Sequence, residues 1–307
     1  MKNVFKSIVL AVSSMFVFAA CAEQTPNMSA NMTTNDSRGH TMTQTLSSTH
    51  WQGTRAYDKD GTDLTKQNAN FIGLALYDAQ TSRYEFFDKK TKKSRGDIGT
   101  YFISNDGKIR VLISKTYKYQ AIVNITQLDK DIFTYKRMGK DTNGNKVEIF
   151  VDHVPYTQTK LSFTKPQKAL SKKTGDITTN TNGDKILSST LWQGTVALDS
   201  KGNDVTQYNK NYIGIAKYDY SSNKYEFFNA QNGKSRGDYG YYDVFNNNKV
   251  RAHVSQGYKY GAVLELTEIN ANKFTYARMG KDKDGNKIEI TVEHVPYKGE
   301  FKVEFTH

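Results

Sequence analysis

The chain has 307 residues, and its 43 Lys and Arg against 31 Asp and Glu give a formal charge of +12. Its 20 Tyr, 16 Phe and only 4 Pro favour an all-β protein built from many short strands. A single cysteine excludes an internal disulfide. The basic residues are spread along the chain without a recognition motif, so we predict no nucleic-acid partner.

The N-terminus carries the pattern of a secretory signal. Lys2 and Lys6 precede an apolar stretch, residues 7–20, that is too short to span a membrane comfortably. The segment ends in Phe-Ala-Ala-Cys at 18–21, which resembles the bacterial lipobox. That resemblance implies a lipoprotein signal peptide over 1–20 and a diacylglycerol-type lipid on Cys21. The same resemblance implies that the lipid anchors the protein to a membrane of the bacterial cell envelope. If the host is Gram-negative, this is the outer membrane.

Two copies of one sequence follow. Leu46–Tyr156 aligns with Leu187–Tyr297 at a constant offset of 141 without a gap, and 58 of the 111 positions are identical. The repeats are therefore predicted at 46–164 and 187–307. A lipidated flexible tether over 21–45 and a linker over 165–186 complete the domain organisation, because both segments are polar and lack periodicity.

Each repeat shows about eight stretches of alternating apolar and polar residues, the period of a half-buried strand. In the first repeat they lie near 51–57, 71–77, 83–88, 98–104, 108–114, 118–128, 132–138 and 146–153. Eight sequential antiparallel strands remove their edges by closing into a barrel. The predicted fold is all-β, two tandem antiparallel eight-stranded barrels, with 161–164 as a ninth strand or a cap. Such a barrel is filled by side chains or holds one small ligand.

The alternation also predicts which polar side chains point inward. They form a candidate interior cluster in each repeat, either ligand-binding or structural: Tyr119, Tyr135, Arg137 and His153 in the first, and Tyr260, Tyr276, Arg278 and His294 in the second. Tyr135 and Arg137 form the expected pair. His153 should lie opposite Phe133 in the hairpin, away from Arg137.

Trp51 and Trp192 belong to the same predicted interior. Each lies in a Trp-Gln-Gly-Thr sequence in the first strand of its repeat, and each repeat has an arginine in a late strand. This pattern resembles the calycin superfamily, which includes lipocalins and avidins. The resemblance implies that Trp51 closes one end of the barrel with Arg137 packed across it. The repeated FTYxRMGKDxxGNK and HVPY motifs resemble an uncharacterised family of two-repeat bacterial lipoproteins, which implies no activity.

Two further motifs suggest other kinds of site. Arg95-Gly96-Asp97, repeated as Arg236-Gly237-Asp238, resembles the integrin-recognition tripeptide and is a candidate exposed interaction loop; a local turn explains it equally well. The run 282–286 resembles the start of a calcium loop but lacks the later bidentate Glu, so no metal is predicted. No cofactor fingerprint or nucleophile–base set is present, so the protein is predicted not to be an enzyme.

The leading hypothesis is a non-catalytic, lipid-anchored envelope protein whose calycin-like barrels hold a small ligand or an envelope partner. The alternative is a surface interaction or adhesion lipoprotein that binds a host or envelope protein through exposed loops, including the Arg-Gly-Asp. The interior distinguishes the two hypotheses. A ligand carrier needs a cavity with Arg or His on its wall, whereas an adhesion module has filled barrels.

Overall fold

The computed structural model of this chain describes residues 37–172 and 174–307. The predicted signal peptide, the lipobox and Cys21 lie outside the described residues. Within the described part of the chain, no helix is both long and apolar enough to cross a membrane.

The first repeat forms a closed antiparallel barrel in which every strand pairs with the next and the last pairs with the first. Its strands are β1 (His50–Tyr57), β2 (Leu74–Asp78), β3 (Arg83–Phe87), β4 (Ser94–Ile103), β5 (Ile109–Ser114), β6 (Gln120–Leu128), β7 (Phe133–Lys140) and β8 (Lys146–Tyr156). A helix, α1 (Arg38–Ser47), precedes them. The predicted eight-stranded barrel is confirmed.

The second repeat builds the same closed barrel. Helix α2 (Gly183–Ser188) precedes its strands, which are β9 (Trp192–Asp199), β10 (Ile215–Tyr218), β11 (Lys224–Phe228), β12 (Ser235–Phe245), β13 (Val250–Ser255), β14 (Tyr260–Ile269), β15 (Phe274–Lys281) and β16 (Lys287–Pro296). Two tandem all-β barrels are therefore the architecture of the described chain.

The β7–β8 hairpin shows how the sequence sets the register. Its turn begins at Asp141, whose carboxylate accepts hydrogen bonds from the backbone N–H groups of Asn143 and Asn145 at 2.8 Å. Gly144 supplies the left-handed backbone, with φ of 85°. The resulting register places Phe133 opposite His153. The Asp141 carboxylate thus stabilises the turn through hydrogen bonds to its backbone.

Helix α1 corrects the predicted flexible tether, because residues 38–45 of that segment are helical. Its side chains at i and i+4, Met42 and Leu46, are buried in the interior of the first barrel. The indole Nε1 of Trp51 donates a 2.8 Å hydrogen bond to the Leu46 carbonyl oxygen, a free acceptor of the helix C-terminus. The helix therefore closes the end of the barrel at which Trp51 lies.

The second barrel is closed in the same way. Trp192 donates from Nε1 to the carbonyl oxygen of Leu187, also at 2.8 Å. Helix α2 begins at Gly183, so the last residues of the predicted linker, 183–186, belong to the closing helix. Each repeat is thus one helix followed by one barrel.

The segment 161–164 is a cap and not a ninth strand. Leu161 packs on the outer face of the first barrel against Leu74, Leu76, Phe87 and Tyr156. The backbone N–H and hydroxyl of Thr164 then donate to the buried Glu85 carboxylate at 2.9 and 2.6 Å. Thr306 repeats this contact with Glu226 at 2.8 and 2.5 Å.

The two barrels contact each other through the outer faces of β4–β5 and β12–β13. Phe102, Val111 and Ile113 of the first barrel form one buried apolar cluster with Ala252 and Val254 of the second. Because β5 also faces the interior of its own barrel, it is buried on both sides. Contact with the second barrel therefore helps to hold this strand in place.

A pair of acidic side chains, Asp184 and Asp243, lies at the same contact between barrels. Asp184, in α2, is 1% exposed and accepts hydrogen bonds from Asn105 Nδ2 of the first barrel at 3.1 Å and from Asn223 Nδ2 of the second at 3.0 Å. Burial raises the pKa of Asp184 to about 6. Burial and the neighbouring Asp184 carboxylate raise the pKa of Asp243 well above its ordinary value.

Candidate functional site

Each barrel encloses a cavity at the end away from its closing helix. The cavity of the first barrel has a volume of about 340 Å³ and that of the second about 410 Å³. Aromatic rings form much of the first wall: Phe71, Tyr77, Phe86, Tyr117, Tyr119 and Tyr135. Equivalent rings form the second: Tyr212, Tyr218, Phe227, Tyr258, Tyr260 and Tyr276. These are the dimensions and lining of small-molecule sites.

Arg110 lines the first cavity. It is 3% exposed, and its Nη1 donates a 2.6 Å hydrogen bond to the Tyr77 hydroxyl. The guanidinium carbon lies 4.5 Å from the ring centroid of Tyr135 and 5.0 Å from that of Phe133, within cation–π range. Its Nε has no hydrogen-bond partner within residues 37–172 and 174–307. The arginine is therefore held by neutral groups.

The second barrel repeats this arrangement with Arg251. Its Nη1 donates to the Tyr218 hydroxyl at 2.8 Å, and its guanidinium carbon lies 4.6 Å from the ring centroid of Tyr276. Its Nε likewise has no partner in the described part of the chain. Two copies that differ at nearly half of their aligned positions have thus kept the same buried arginine on the same tyrosine.

The Arg-Gly-Asp tripeptides lie in strands and not in loops, and only Arg95 of their six residues is exposed, which corrects the predicted exposed loop. Residues 95–97 lie near the start of β4, and residues 236–238 near the start of β12. Asp97 is buried and accepts hydrogen bonds from the hydroxyls of Tyr84, Ser114 and Tyr119 at 3.0, 2.9 and 2.6 Å. Arg95 Nη1 donates to the Asn70 carbonyl oxygen at the cavity mouth.

The second tripeptide is arranged similarly. Asp238 accepts hydrogen bonds from the hydroxyls of Tyr225 and Tyr260, both at 2.9 Å. Arg236 Nη2 donates to the Asn211 carbonyl oxygen at 2.6 Å. The glycines, Gly96 and Gly237, have φ of 73° and 71°, which explains why glycine is needed there. In both repeats the tripeptide is part of the cavity wall, with its carboxylate facing hydroxyls.

Arg137 and Arg278 do not contact the tryptophans, contrary to the prediction. The guanidinium carbon of Arg137 lies 3.8 Å from the ring centroid of Phe71, and that of Arg278 lies 3.6 Å from the ring centroid of Tyr212. Both arginines are half-buried and line the cavity mouth. The reason is the strand direction: β7 begins at the closed end at Phe133, so Arg137, four residues further along the strand, reaches the opposite end.

His153 and His294 lie deeper in the cavities. The His153 ring centroid is 5.3 Å from those of Phe133 and Tyr135. Burial and the nearby Arg110 guanidinium lower the pKa of His153 to about 3, and burial and Arg251 do the same for His294. Both imidazoles are therefore neutral at physiological pH. Their Nδ1 atoms have no hydrogen-bond partner among the described residues.

The predicted interior residues thus occupy different depths of each barrel. Tyr119, Tyr135, Arg137 and His153 line the first cavity, and Tyr260, Tyr276, Arg278 and His294 line the second. Trp51 and Trp192 lie at the closed end, T-shaped against Phe133 and Phe274. The structure adds Arg110 and Arg251, which the sequence reasoning missed. The sequence did contain a signal for them. Arg110 alternates with the inward residues Leu112 and Ser114, and the second repeat has an identical arginine at the same offset.

One buried position differs in polarity between the two cavities. Leu112 of the first cavity is replaced by His253 in the second. Burial, Arg251 and Arg278 hold the pKa of His253 well below its ordinary value, so this imidazole is also neutral. The second cavity therefore offers an additional hydrogen-bonding ring where the first offers an apolar side chain. Within the described residues, no group of three or more His, Cys, Asp or Glu could hold a metal ion.

Closed barrels of eight antiparallel strands in sequential order, each with an interior cavity, define a protein of two tandem up-and-down β-barrels. The chain belongs to the family described as domain of unknown function DUF4822, whose model matches residues 43–163 and 184–305. These two matches coincide with the two barrels and confirm the expected two-repeat family. In a comparison with curated proteins, none matches the chain.

Two solved structures are similar in part. A complex of bovine odorant binding protein with a selenium-containing odorant is 16% identical, with 37% of this chain and 77% of that chain covered and a TM-score of 0.24. A DUF3598-family protein of unknown function from Nostoc punctiforme is 10% identical, with 84% of this chain and 99% of that chain covered, also with a TM-score of 0.24.

Proposed function

We propose that this protein is a lipid-anchored binding protein of the cell envelope, and that each barrel holds one small ligand in its interior cavity. The observation that carries the proposal is the pair of cavities, about 340 and 410 Å³, at equivalent places in the two repeats. Ligand sites occupy about 300–1,000 Å³ and combine apolar walls with a few polar groups. An eight-stranded barrel has room for one such ligand.

The buried polar groups on the wall support binding over a merely structural cavity. The Nε of Arg110 and the Nδ1 of His153 have no hydrogen-bond partner among the residues described. Burying such groups without a partner costs about 1–3 kcal/mol each. A ligand that accepts from the arginine and pairs with the histidine would recover this free energy, and the same atoms are available in the second barrel.

The adhesion hypothesis receives no such support. It needs filled barrels and an exposed Arg-Gly-Asp, whereas Asp97 is buried against three hydroxyl groups. The proposed role is binding without turnover. Its polar groups serve recognition, since the Asp97 carboxylate is engaged by hydroxyls and the neutral His153 lies between aromatic faces.

The proposed localisation in the cell envelope rests on the sequence of the first 21 residues. The short basic start, the apolar run and Cys21 together form the lipoprotein pattern. An anchor at Cys21 would attach the protein to the membrane, where a carrier meets ligands that cross or leave the envelope.

The test is a cavity-filling variant. Ala75 and Ala216 are buried, lie on the walls of the two cavities and face the interior, so Ala75→Leu with Ala216→Leu should reduce both volumes. A library of small molecules is screened against the purified protein by ligand-observed NMR, and native mass spectrometry reports any molecule that co-purifies. We expect ligands that bind the wild type and are lost in the double variant.

The matched control is Ala271→Leu, the same substitution at an exposed position in the turn between β14 and β15. It should bind as the wild type does. Circular dichroism checks that all variants remain folded. Ligands that bind the filled variant as tightly as the wild type, or a screen without any ligand, would contradict the proposed function.

A further inference from the structure

Each cavity contains a buried arginine without a counter-ion. Arg110 and Arg251 are each 3% exposed, and neither takes part in any ion pair among the described residues. A buried charge is strongly destabilising unless an opposite charge lies beside it. Since the guanidinium keeps its proton in proteins, it cannot escape this cost by becoming neutral.

The one carboxylate on the first cavity wall forms no ion pair with the arginine. Asp97 accepts its hydrogen bonds from the hydroxyls of Tyr84, Ser114 and Tyr119. Arg95, Arg110 and Arg137 all line the same cavity. Three guanidinium groups, of which that of Arg95 is exposed, and one carboxylate leave an excess of positive charge around the cavity. The neutral His153 does not change this excess.

The second cavity has the same balance. Arg236, Arg251 and Arg278 line it together with a single carboxylate, Asp238, which accepts from two tyrosine hydroxyls. The positive excess is therefore a property of both barrels and not an accident of one copy.

Aromatic rings form much of the remaining wall. The Arg110 guanidinium lies against the rings of Tyr135 and Phe133, and Phe71 and Phe86 also line the cavity. Flat aromatic walls accommodate a flat apolar body by stacking. A guanidinium presents paired donors that match a carboxylate, sulfonate or phosphate.

We propose that the ligand of each barrel is a small organic anion, with its anionic group at Arg110 or Arg251 and its planar apolar body against the aromatic wall. This inference rests on the proposed function, because it names the chemical class of the ligand that the cavities hold. The anion supplies the opposite charge that the protein itself does not place beside the arginine.

The test uses two fluorescent probes that differ by a single anionic group. 1-Anilinonaphthalene-8-sulfonate carries a sulfonate, and N-phenyl-1-naphthylamine has the same rings without it. Both are titrated into the full-length protein, and their dissociation constants are measured. We expect the wild type to bind the sulfonate more tightly by about 10- to 100-fold, the size of a charge-assisted hydrogen bond, with about two sites per chain, one in each barrel.

The variant Arg110→Met with Arg251→Met removes both guanidinium groups and keeps similar side-chain length. It should lose the preference for the sulfonate and still bind the neutral probe. Arg55→Met is the matched control, because Arg55 also contacts an aromatic ring, that of Tyr57 at 4.5 Å, but does so on the exposed surface outside the cavity. It should leave both dissociation constants unchanged. Sodium sulfate, added as a competitor, tests whether an inorganic anion alone suffices.

The outcomes separate the two proposals. Equal binding of both probes by the wild type overturns the proposal that the ligand is an anion and leaves the proposal of small-ligand binding intact. This comparison needs only the wild type, so it remains valid even if the double variant does not fold. Binding of neither probe overturns both proposals. Full displacement by millimolar sulfate overturns the organic part of the inference, while persistence of the sulfonate complex in sulfate supports it.

Discussion

The guanidinium of Arg110 donates from Nη1 to the hydroxyl of Tyr77 over 2.6 Å, deep inside the first barrel. Burial raises the pKa of Tyr77 to about 12, so this hydroxyl stays protonated and acts as a neutral acceptor. The tyrosine therefore orients the arginine without neutralising it. Arg251 and Tyr218 do the same in the second barrel.

The first prediction concerns this hydrogen bond. Tyr77→Phe removes the acceptor and leaves the Arg110 Nη1 without its partner, so the free energy of unfolding should fall by about 1.5–3 kcal/mol. Chemical denaturation monitored by circular dichroism measures the change. Tyr101→Phe is the control, because the buried Tyr101 hydroxyl has no hydrogen-bond partner in the described chain. Equal losses in the two variants would show that the Arg110–Tyr77 bond contributes nothing specific.

The second prediction concerns Arg137. Its guanidinium lies over the Phe71 ring at the half-buried cavity mouth, and its Nε donates to the Met138 carbonyl oxygen at 3.3 Å. A cation–π contact near the surface contributes about 0.5–1 kcal/mol, so Arg137→Ala should lower the free energy of unfolding by no more than about that amount. The same denaturation experiment checks it. A loss of several kcal/mol would instead indicate the clamp across Trp51 that the sequence suggested.

The third prediction concerns the acid pair at the contact between barrels. The pKa values of Asp184 and Asp243 are both raised in the folded protein, the first to about 6 from 3.8. The folded state therefore binds protons more tightly than the unfolded chain, and stability must fall as pH rises. The loss of stability begins near pH 4, the ordinary pKa of aspartate, and continues beyond pH 6.

Asp243→Asn removes one titrating group and keeps a side chain able to donate to Asp184. At pH 8 the variant should unfold with a free energy about 1–3 kcal/mol above that of the wild type, and the fall between pH 4 and 8 should shrink. Melting curves across this range give both quantities. Asp284→Asn, in the exposed β15–β16 turn, is the control. Parallel pH profiles for Asp243→Asn and the wild type would show that the raised pKa of Asp243 does not affect stability.

The fourth prediction concerns the anchor. Cys21 is the single cysteine of the chain, so Cys21→Ser removes the sole thiol that a lipid could occupy. In fractionated cells the wild type should be recovered with membranes and the variant in the soluble fraction. Globomycin, which blocks lipoprotein signal cleavage, should change the wild type only. Retention of the variant in membranes, insensitive to globomycin, would contradict lipid anchoring.

The barrels were predictable because strand alternation and repetition are local signals. The gapless offset fixed the two copies, and the period of two placed Tyr135 and His153 on the inner face of β7 and β8. The register of Phe133 opposite His153 followed from the hairpin turn. None of these inferences needed information from a distant part of the chain.

The errors concern contacts between distant parts of the chain. Helix α1 was missed because its polar sequence has only two buried anchors, Met42 and Leu46, and it is held by a hydrogen bond from Trp51 that no local pattern reveals. Asp97 was taken as exposed because Arg-Gly-Asp looks like a turn, whereas hydroxyls from three other strand or loop positions surround it. Arg110 was overlooked because β5 is apolar on its other face for a reason that lies in the second barrel.

That contact between barrels has a bearing on how the chain arose. Val111 and Ile113 meet Ala252 and Val254, which are their own counterparts at the repeat offset of 141. A surface that meets its own equivalent is the mark of a twofold-symmetric homodimer. The tandem chain thus has the geometry of a fused dimer. The linker makes association of the two barrels intramolecular, so it does not depend on the protein concentration. Fusion frees each half to diverge alone, as Phe102 and its counterpart Asp243 already have.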